Sequence, residues 1–391
     1  VKTAERRLFF DVYTASLTRQ GEELCGDQVK LLRRPDQTIV VLSDGLGSGV
    51  KANILARLTT EIIVTMWREE APLQDVMETV AGTLPICRVQ RIAYATFAIV
   101  EIQHATGRFR LISYESPPPL FIKRGALTPL PQRTEQIQWR GVGIATGVLE
   151  RGDFLALPSD GVLFAGSGVA NNLAWGPDQV GAYLLRAHRL EGYSAEVLVK
   201  GVLRQTQALY GAQVGDDATL VGILARLPNR LMVFTGPPTD PAKDAACVER
   251  LLAFEGRKVA CGGTTGQIVA TQTGQVIETD QRTLRDDLPP IGRLPDLDLL
   301  TEGILTLAKT LHLLEDCRGE SARLPTDRNG AVLLARELLA ADSVFFLAGE
   351  TVNPEYQSPL LPQGVSIRRT ILERIVSLLG GYHKAVEIEW C

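Results

Sequence analysis

Ser43-Asp44-Gly45-Leu46-Gly47-Ser48-Gly49 is the stretch on which the reading of this chain turns. Its alternating glycines suit neither a helix nor a strand interior, so it reads as a loop. Before it, Thr38 to Leu42 is a strand-like apolar run. Behind it, about residues 50–68, Ile54, Leu58, Ile62 and Thr65/Met66 recur at helical spacing. An aspartate therefore stands at a strand end beside glycines, where backbone carbonyls and water can approach a cation.

Related forms recur along the chain. They are Leu157-Pro158-Ser159-Asp160-Gly161 and Gly215-Asp216-Asp217-Ala218-Thr219, with Cys25-Gly26-Asp27 before a further expected strand. Carboxylates at the strand ends of one sheet can meet on a single rim, where they repel one another unless a cation neutralises them. Such oxygen donors suit Mg²⁺ or Mn²⁺. Each Asp-Gly pair alone is a common turn dipeptide. Order, spacing and flanking strands carry the case together.

Composition removes other chemistries. The 391 residues are 45% hydrophobic and 22% charged, with net charge −4 and no basic stripe, so nucleic acid and anionic membrane are poor partners. The opening residues carry no apolar signal-like run, and no stretch approaches the ~20 apolar residues of a membrane helix. A cytoplasmic location is the expectation. The six cysteines form no CxxC pair and read as buried free thiols. His104, His188, His312 and His383 lie far apart, which leaves little for a histidine metal site or a Ser-His-Asp triad.

Strand-like segments at both ends of the first 228 residues enclose two helix pairs (about 50–68 and 73–84, then 177–187 and 195–209), which predicts a layered α+β sandwich. A linker near Arg226 to Arg230 follows. Residues 229–391 alternate strand and helix, as in a three-layer α/β domain with a mainly parallel sheet. There, Cys261-Gly262-Gly263-Thr264-Thr265-Gly266 ends a strand and opens a helix, a form able to cradle an anion. It lacks the Walker lysine and the GxGxxG pattern, so it reads as a tight turn without ligand. Gly236-Pro237-Pro238-Thr239 and Thr301-Glu302-Gly303 would line the same edge, and Asp342 and Glu350 flank a buried strand. Ligand sensing, protein docking or control of the first domain are the roles expected of this part.

The motif string Gly26-Asp27, Ser43-Asp44-Gly45-Leu46-Gly47-Ser48-Gly49 with Lys51-Ala52, Gly152-Asp153, Ser159-Asp160-Gly161-Val162 and Gly215-Asp216-Asp217-Ala218-Thr219 resembles the SpoIIE/RsbU branch of PP2C-type (PPM) phosphatases over about residues 8–226. The resemblance implies a β-sandwich flanked by helices and a binuclear Mn²⁺ or Mg²⁺ centre. In it Asp44 would bridge the metals, the Gly45 carbonyl would bind one, Asp160 and Asp216 would ligate the second, and Asp27 would act directly or through water. Asp217 would support the site and Asp153 would be structural. The implied reaction is hydrolysis of phosphoserine or phosphothreonine on a phosphorylated regulatory protein by metal-activated water. No phospho-enzyme is needed and no Cys-x5-Arg nucleophile loop is expected. Animal-type members hold the phosphate with an arginine near the N-terminus; Arg6, Arg7 and Arg19 lie in that region without an assignment. Pro117 to Pro119 reads as a rigid corner. The helices after Asp44 carry switch and dimer surfaces in this branch, so a homodimer is an expectation. Competing readings are a catalytically weak PP2C-fold regulatory binding module, which the retained aspartates weigh against, a phosphatase for small phosphoesters, and a two-metal nuclease, which the acidic balance disfavours.

Overall fold

A computed structural model describes residues 8–83, 95–137, 140–166, 175–191, 194–351 and 367–391. Arg6, Arg7, Cys87 and Leu84, the expected end of the second helix, lie outside the described residues. The chain divides into two compact units, Val1–Leu227 and Pro228–Cys391.

The first unit opens with β1 (Phe9–Leu17), β2 (Asp27–Arg33) and β3 (Gln37–Gly45), then α1 (Gly49–Arg68) and α2 (Leu73–Thr83). There follow β4 (Ala95–Gln103), β5 (Arg108–Tyr114), β6 (Leu120–Lys123), β7 (Ala126–Leu127), β8 (Arg133–Ile137), β9 (Arg140–Val148) and β10 (Phe154–Pro158). The short α3 (Asp160–Leu163), α4 (Gly176–Glu191), α5 (Ala195–Tyr210) and β11 (Ala218–Arg226) complete it. Two antiparallel sheets result, ordered β2-β3-β4-β5-β9-β8 and β1-β11-β10-β6-β7.

Side-chain alternation builds the layers. In β3, Val40 and Leu42 join Phe10, Leu155, Val221 and Ile223 of the other sheet in the core between the sheets. Ile39 and Val41 point the opposite way, onto Leu55, Ile63 and Val76 of α1 and α2. The second sheet likewise covers its outer face with Val180, Leu184, Leu198 and Val202 of α4 and α5. Burying each such side chain contributes about 1.5–3 kcal/mol. The result is an α+β sandwich with helices outside both sheets, as the sequence predicted.

The face of α1 is a correction. Ile54 and Leu58, taken above as the periodic apolar stripe, are 57% and 38% exposed. The buried face is Ala52, Leu55, Ala56, Thr59, Thr60, Ile63, Val64 and Trp67. Small residues let the helix lie close to the sheet, and Thr59 satisfies its hydroxyl on the Leu55 carbonyl at 2.8 Å.

The second unit runs β12 (Arg230–Thr235), α6 (Asp244–Leu252), β13 (Arg257–Cys261), α7 (Gly263–Thr273), β14 (Glu278–Asp280), β15 (Ile291–Arg293), β16 (Leu299–Thr301), α8 (Ile304–Cys317), α9 (Gly330–Ala340), β17 (Ser343–Ala348), α10 (Ile367–Gly381) and β18 (Ala385–Trp390). Its sheet, β14-β15-β16-β13-β12-β17-β18, is parallel from β16 to β18, with β14 and β15 added antiparallel at one edge. Leu231 and Val233 face α8, α9 and α10, while Met232 and Phe234 face α6 and α7. Burial on both faces explains why these strands read as continuous apolar runs. Among the described residues no helix is long and apolar enough to cross a membrane.

Candidate metal centre

The antiparallel register of β2 and β3 sets Asp27 directly opposite Asp44. Asp44 is the penultimate residue of β3, and the Gly45 amide donates to the Gly26 carbonyl (3.2 Å). Gly45 is required by close approach rather than by an unusual dihedral angle: a Cβ there would lie 2.0 Å from the Ala52 carbonyl oxygen in the first turn of α1. The other sheet supplies Asp160, which opens α3 immediately after β10, and Asp216 and Asp217, just before β11. Asp160 thus starts a helix where the sequence suggested a plain turn. Ser159 fastens this corner, its amide donating to the Thr219 carbonyl and its hydroxyl accepting the Thr219 amide, both at 2.8 Å.

Asp217 is a clamp. Its Oδ1 accepts the Arg19 amide and its Oδ2 the Gly26 amide, both at 2.9 Å. Asn53 Nδ2 donates to the Cys25 carbonyl (2.7 Å) and Ser48 Oγ to Glu22 (2.8 Å), so α1 holds the same loop from the other side. Asp153 lies elsewhere and is fully buried. Its carboxylate accepts the amides of Arg124 and Glu150, each at 2.8 Å, which is a turn-fixing function.

Asp27 is 3% exposed, and neither of its carboxyl oxygens has a hydrogen-bond partner. The hydroxyls of Ser159 and Thr219 are near enough to hold its rise in check, although neither bonds it: Ser159 Oγ accepts the Thr219 amide and Thr219 Oγ1 pairs with Ser16 Oγ (2.7 Å). Burial pushes the Asp27 carboxyl upward, and the charges of Asp217 and Asp160 add to the rise. Asp44 is raised by burial and then by Asp27, Asp160 and Asp216, with the Asp160 carboxyl in hydrogen-bonding contact. Burial also raises Asp160, and burial with Asp160 raises Asp216. Without a cation this rim favours bound protons. Tyr210, absent from the sequence reading, donates to the Gly161 carbonyl (2.7 Å), and burial with Asp216 and Asp160 pushes it up to about 12. Arg19 is the unassigned arginine whose position the structure describes. It is exposed, and its charge acts on Asp216 in the opposite direction.

Among the described residues no three carboxylate, imidazole or thiol groups form a ready-made metal cage. The donor set nevertheless fits a hard divalent cation in its chemistry. It is all oxygen, it is anionic beyond local compensation, and Asp27 carries two orphaned buried oxygens.

The sequence-family model for stage II sporulation protein E (SpoIIE) matches residues 34–226. Residues 34–226 are a PP2C-type phosphatase domain of the SpoIIE family. The match begins after Asp27, so β1, β2 and the loop clamped by Asp217 precede it. No curated protein sequence matches this chain. Among solved structures, the phosphatase domain with part of the regulatory domain of SpoIIE from Bacillus subtilis is 16% identical, with a TM-score of 0.48 over 56% of this chain. This chain spans 64% of that structure's length. The RsbU and RsbW domains of a Mycobacterium tuberculosis protein are 17% identical, with a TM-score of 0.47 over 63% of this chain and 68% of that one. RsbX in complex with magnesium is 19% identical, with a TM-score of 0.41 over 55% of this chain and 95% of that one.

The cysteine expectations divide. Cys247, Cys261 and Cys317 are buried free thiols, while Cys25 and Cys391 are half-buried. Cys317 and Arg323 do have Cys-x5-Arg spacing, contrary to the expectation that no such run exists. Cys317 is 1% exposed at the end of α8 and its thiol donates to the Leu314 carbonyl, so it is no nucleophile loop.

Proposed function

We propose that the SpoIIE-family domain is a metal-dependent phosphatase that hydrolyses phosphoserine or phosphothreonine on a phosphorylated regulatory protein. Asp27, Asp44, Asp160 and Asp216, with the Gly45 carbonyl, would hold two Mn²⁺ or Mg²⁺ ions. Bound there, the ions would supply Lewis acidity toward the phosphoryl oxygens and a lowered water pKa. The protein's own contribution is placement. β3 and its pairing with β2 set Asp44 against Asp27, and the Ser159–Thr219 fastening sets Asp160 beside Asp216. Asp217 acts as a positioning residue, holding the loop from Arg19 to Gly26 through two backbone amides. Arg19, whose charge already acts on the rim, is the cation we assign to the substrate phosphate.

The observation that carries this reading is the buried carboxyl of Asp27, unpartnered and facing Asp44, within a family whose activity is phosphatase. The test is Mn²⁺-dependent hydrolysis of an aryl phosphate and of a phosphothreonine peptide by the full chain, with Asp44→Ala and Asp216→Ala beside it. Activity that needs Mn²⁺, stops with EDTA and is lost in both variants supports the reading. A metal-loaded wild type inactive on both substrates favours the non-catalytic binding module instead.

A further inference from the structure

In the second unit the parallel strands run β16-β13-β12-β17-β18, so the winding reverses between β12 and β17. In doubly wound sheets the crevice outside the carboxyl ends of the strands at such a reversal is where ligands bind. Two loops leave the sheet there, one at Gly236 after β12 and one at Gly349 after β17. A Cβ on Gly236, whose φ is +80°, would fall 2.1 Å from Arg368 Nη1, and one on Gly349 would fall 2.0 Å from the Pro237 carbonyl oxygen. The Arg368 guanidinium therefore rests directly on Gly236 at the end of β12.

Among the described residues its charge is poorly met. Nη1 donates to the carbonyls of Gly349 (3.1 Å) and Thr351 (3.2 Å), while the buried Nε has no acceptor. No carboxylate among the described residues pairs with it. The next residue differs: Arg369 is bound by Glu350 and Glu373 and stacks 4.8 Å from the centre of the Trp390 ring. Both arginines stand in the first turn of α10, which has no acidic residue there. That is the helix end whose dipole favours an anion over a cation.

A second orphan lies beside Arg368. Thr235, the last residue of β12, is fully buried, and its hydroxyl makes no hydrogen bond of good geometry, only a loose contact with the Cys261 thiol. Its register partner is Cys261, which packs on the face of the sheet covered by α10, the helix that carries Arg368. Across Gly236, α7 opens on Gly262 without a side-chain cap, and Thr265 Oγ1 accepts the Gly236 amide at 2.9 Å. The nearby Glu302 carboxylate already accepts the Gly303 amide at the start of α8 (2.6 Å).

We propose that this crest binds one phosphoryl group of a small molecule, with the Arg368 guanidinium and the Thr235 hydroxyl as its donors. On binding, the guanidinium exchanges its two carbonyl acceptors for the anion. The assignment is independent of the acidic rim in the first unit.

The experiment is calorimetric titration of the full chain, in EDTA to keep metals off the aspartates, with inorganic phosphate and separately with adenosine monophosphate. Saturable one-site binding is expected, weakened at least about tenfold by Arg368→Gln and by Thr235→Val, as for loss of a hydrogen bond to a charged group. Arg369→Gln should leave it unchanged. Tighter binding of the nucleotide would assign the phosphoryl group to a larger molecule, and equal affinity would assign it to free phosphate. No saturable binding of either probe overturns the proposal. So does undiminished binding in Thr235→Val, the near-isosteric variant that decides the matter if Arg368→Gln fails to fold.

Discussion

The acidic rim of the first unit and the crest of the second carry opposite forms of one imbalance. On the rim, Asp27, Asp44, Asp160 and Asp216 gather, and the charge of the exposed Arg19 offsets their burial at Asp216 only in part. On the crest, Arg368 is sheltered, and among the described residues its acceptors are backbone carbonyls. Elsewhere the same residue types are matched. Asp280 sits between Arg282 (3.0 Å) and Arg293 (2.7 Å), and Asp327 is paired with Arg285. The matched carboxyls are held below the usual range by their guanidinium partners, whereas the rim carboxyls are pushed above it by burial. Unrelieved burial, rather than charge itself, separates a site from a solvated surface.

The largest effect should come from breaking the rim. Asp44→Ala and Asp216→Ala should each lower Mn²⁺-dependent hydrolysis by more than about 100-fold, beyond what losing an outer-shell partner costs. Retained turnover in either variant would remove that aspartate from the metal set. Next comes the clamp. Asp217→Ala strands two backbone amides and should cost about 2–4 kcal/mol in urea unfolding, with Asp217→Asn intermediate. A wild-type midpoint would show that the loop holds itself.

The titration of the rim sharpens the contrast further. Carboxyls raised in the folded state contribute stability that is present at acid pH and lost as pH rises through their folded values. In EDTA the thermal midpoint of the first unit should therefore fall between the ordinary aspartate value of 3.8 and about 9. Asp44→Asn should flatten that slope and Mn²⁺ should offset it. A metal-free midpoint that climbs over the same window would contradict the assigned direction. Smallest of all, Arg285→Gln should leave the thermal midpoint of the second unit unmoved, because its ion pair with Asp327 lies at the surface.

Much of the architecture was legible because alternation and glycine placement act locally. β3, β4, β10 and β11, with β12, β13, β17 and β18 of the second unit, were evident from their strand-like patterning. β9 was not, because Gly141, Gly143 and Gly147 interrupt its pattern. Gly147 is in the strand to make room for the Phe109 ring, which a Cβ would meet at 2.6 Å. The three-residue strands β14, β15 and β16 are too short to show a period. The orientation of α1 was misjudged because hydropathy ranks Ile54 above Ala52 and Thr59, whereas close packing on a sheet ranks them the other way. The aspartates of the rim were named from the order and spacing of their motifs, the strands that flank them and the family resemblance those motifs carry. Arg19, Glu22, Asn53 and Tyr210, which surround them, belong to no motif, and long-range pairing alone brings them there. The missing partners of the Thr235 hydroxyl and of Arg368 Nε have no sequence signal at all.

The clamp made by Asp217 also bears on how the domain comes into being. It joins backbone groups 191 and 198 residues earlier in the chain, and β1 pairs with β11 along its whole length. Contacts this distant in sequence form late, because the loop they close is long. During synthesis, β2 and β3 emerge long before the residues that lock the loop beside them. On the proposed reading, cation capture would be the closing act of folding, and an unfinished chain would carry Asp27 and Asp44 without a competent centre. The order of synthesis would itself keep the proposed activity silent until β11 is in place.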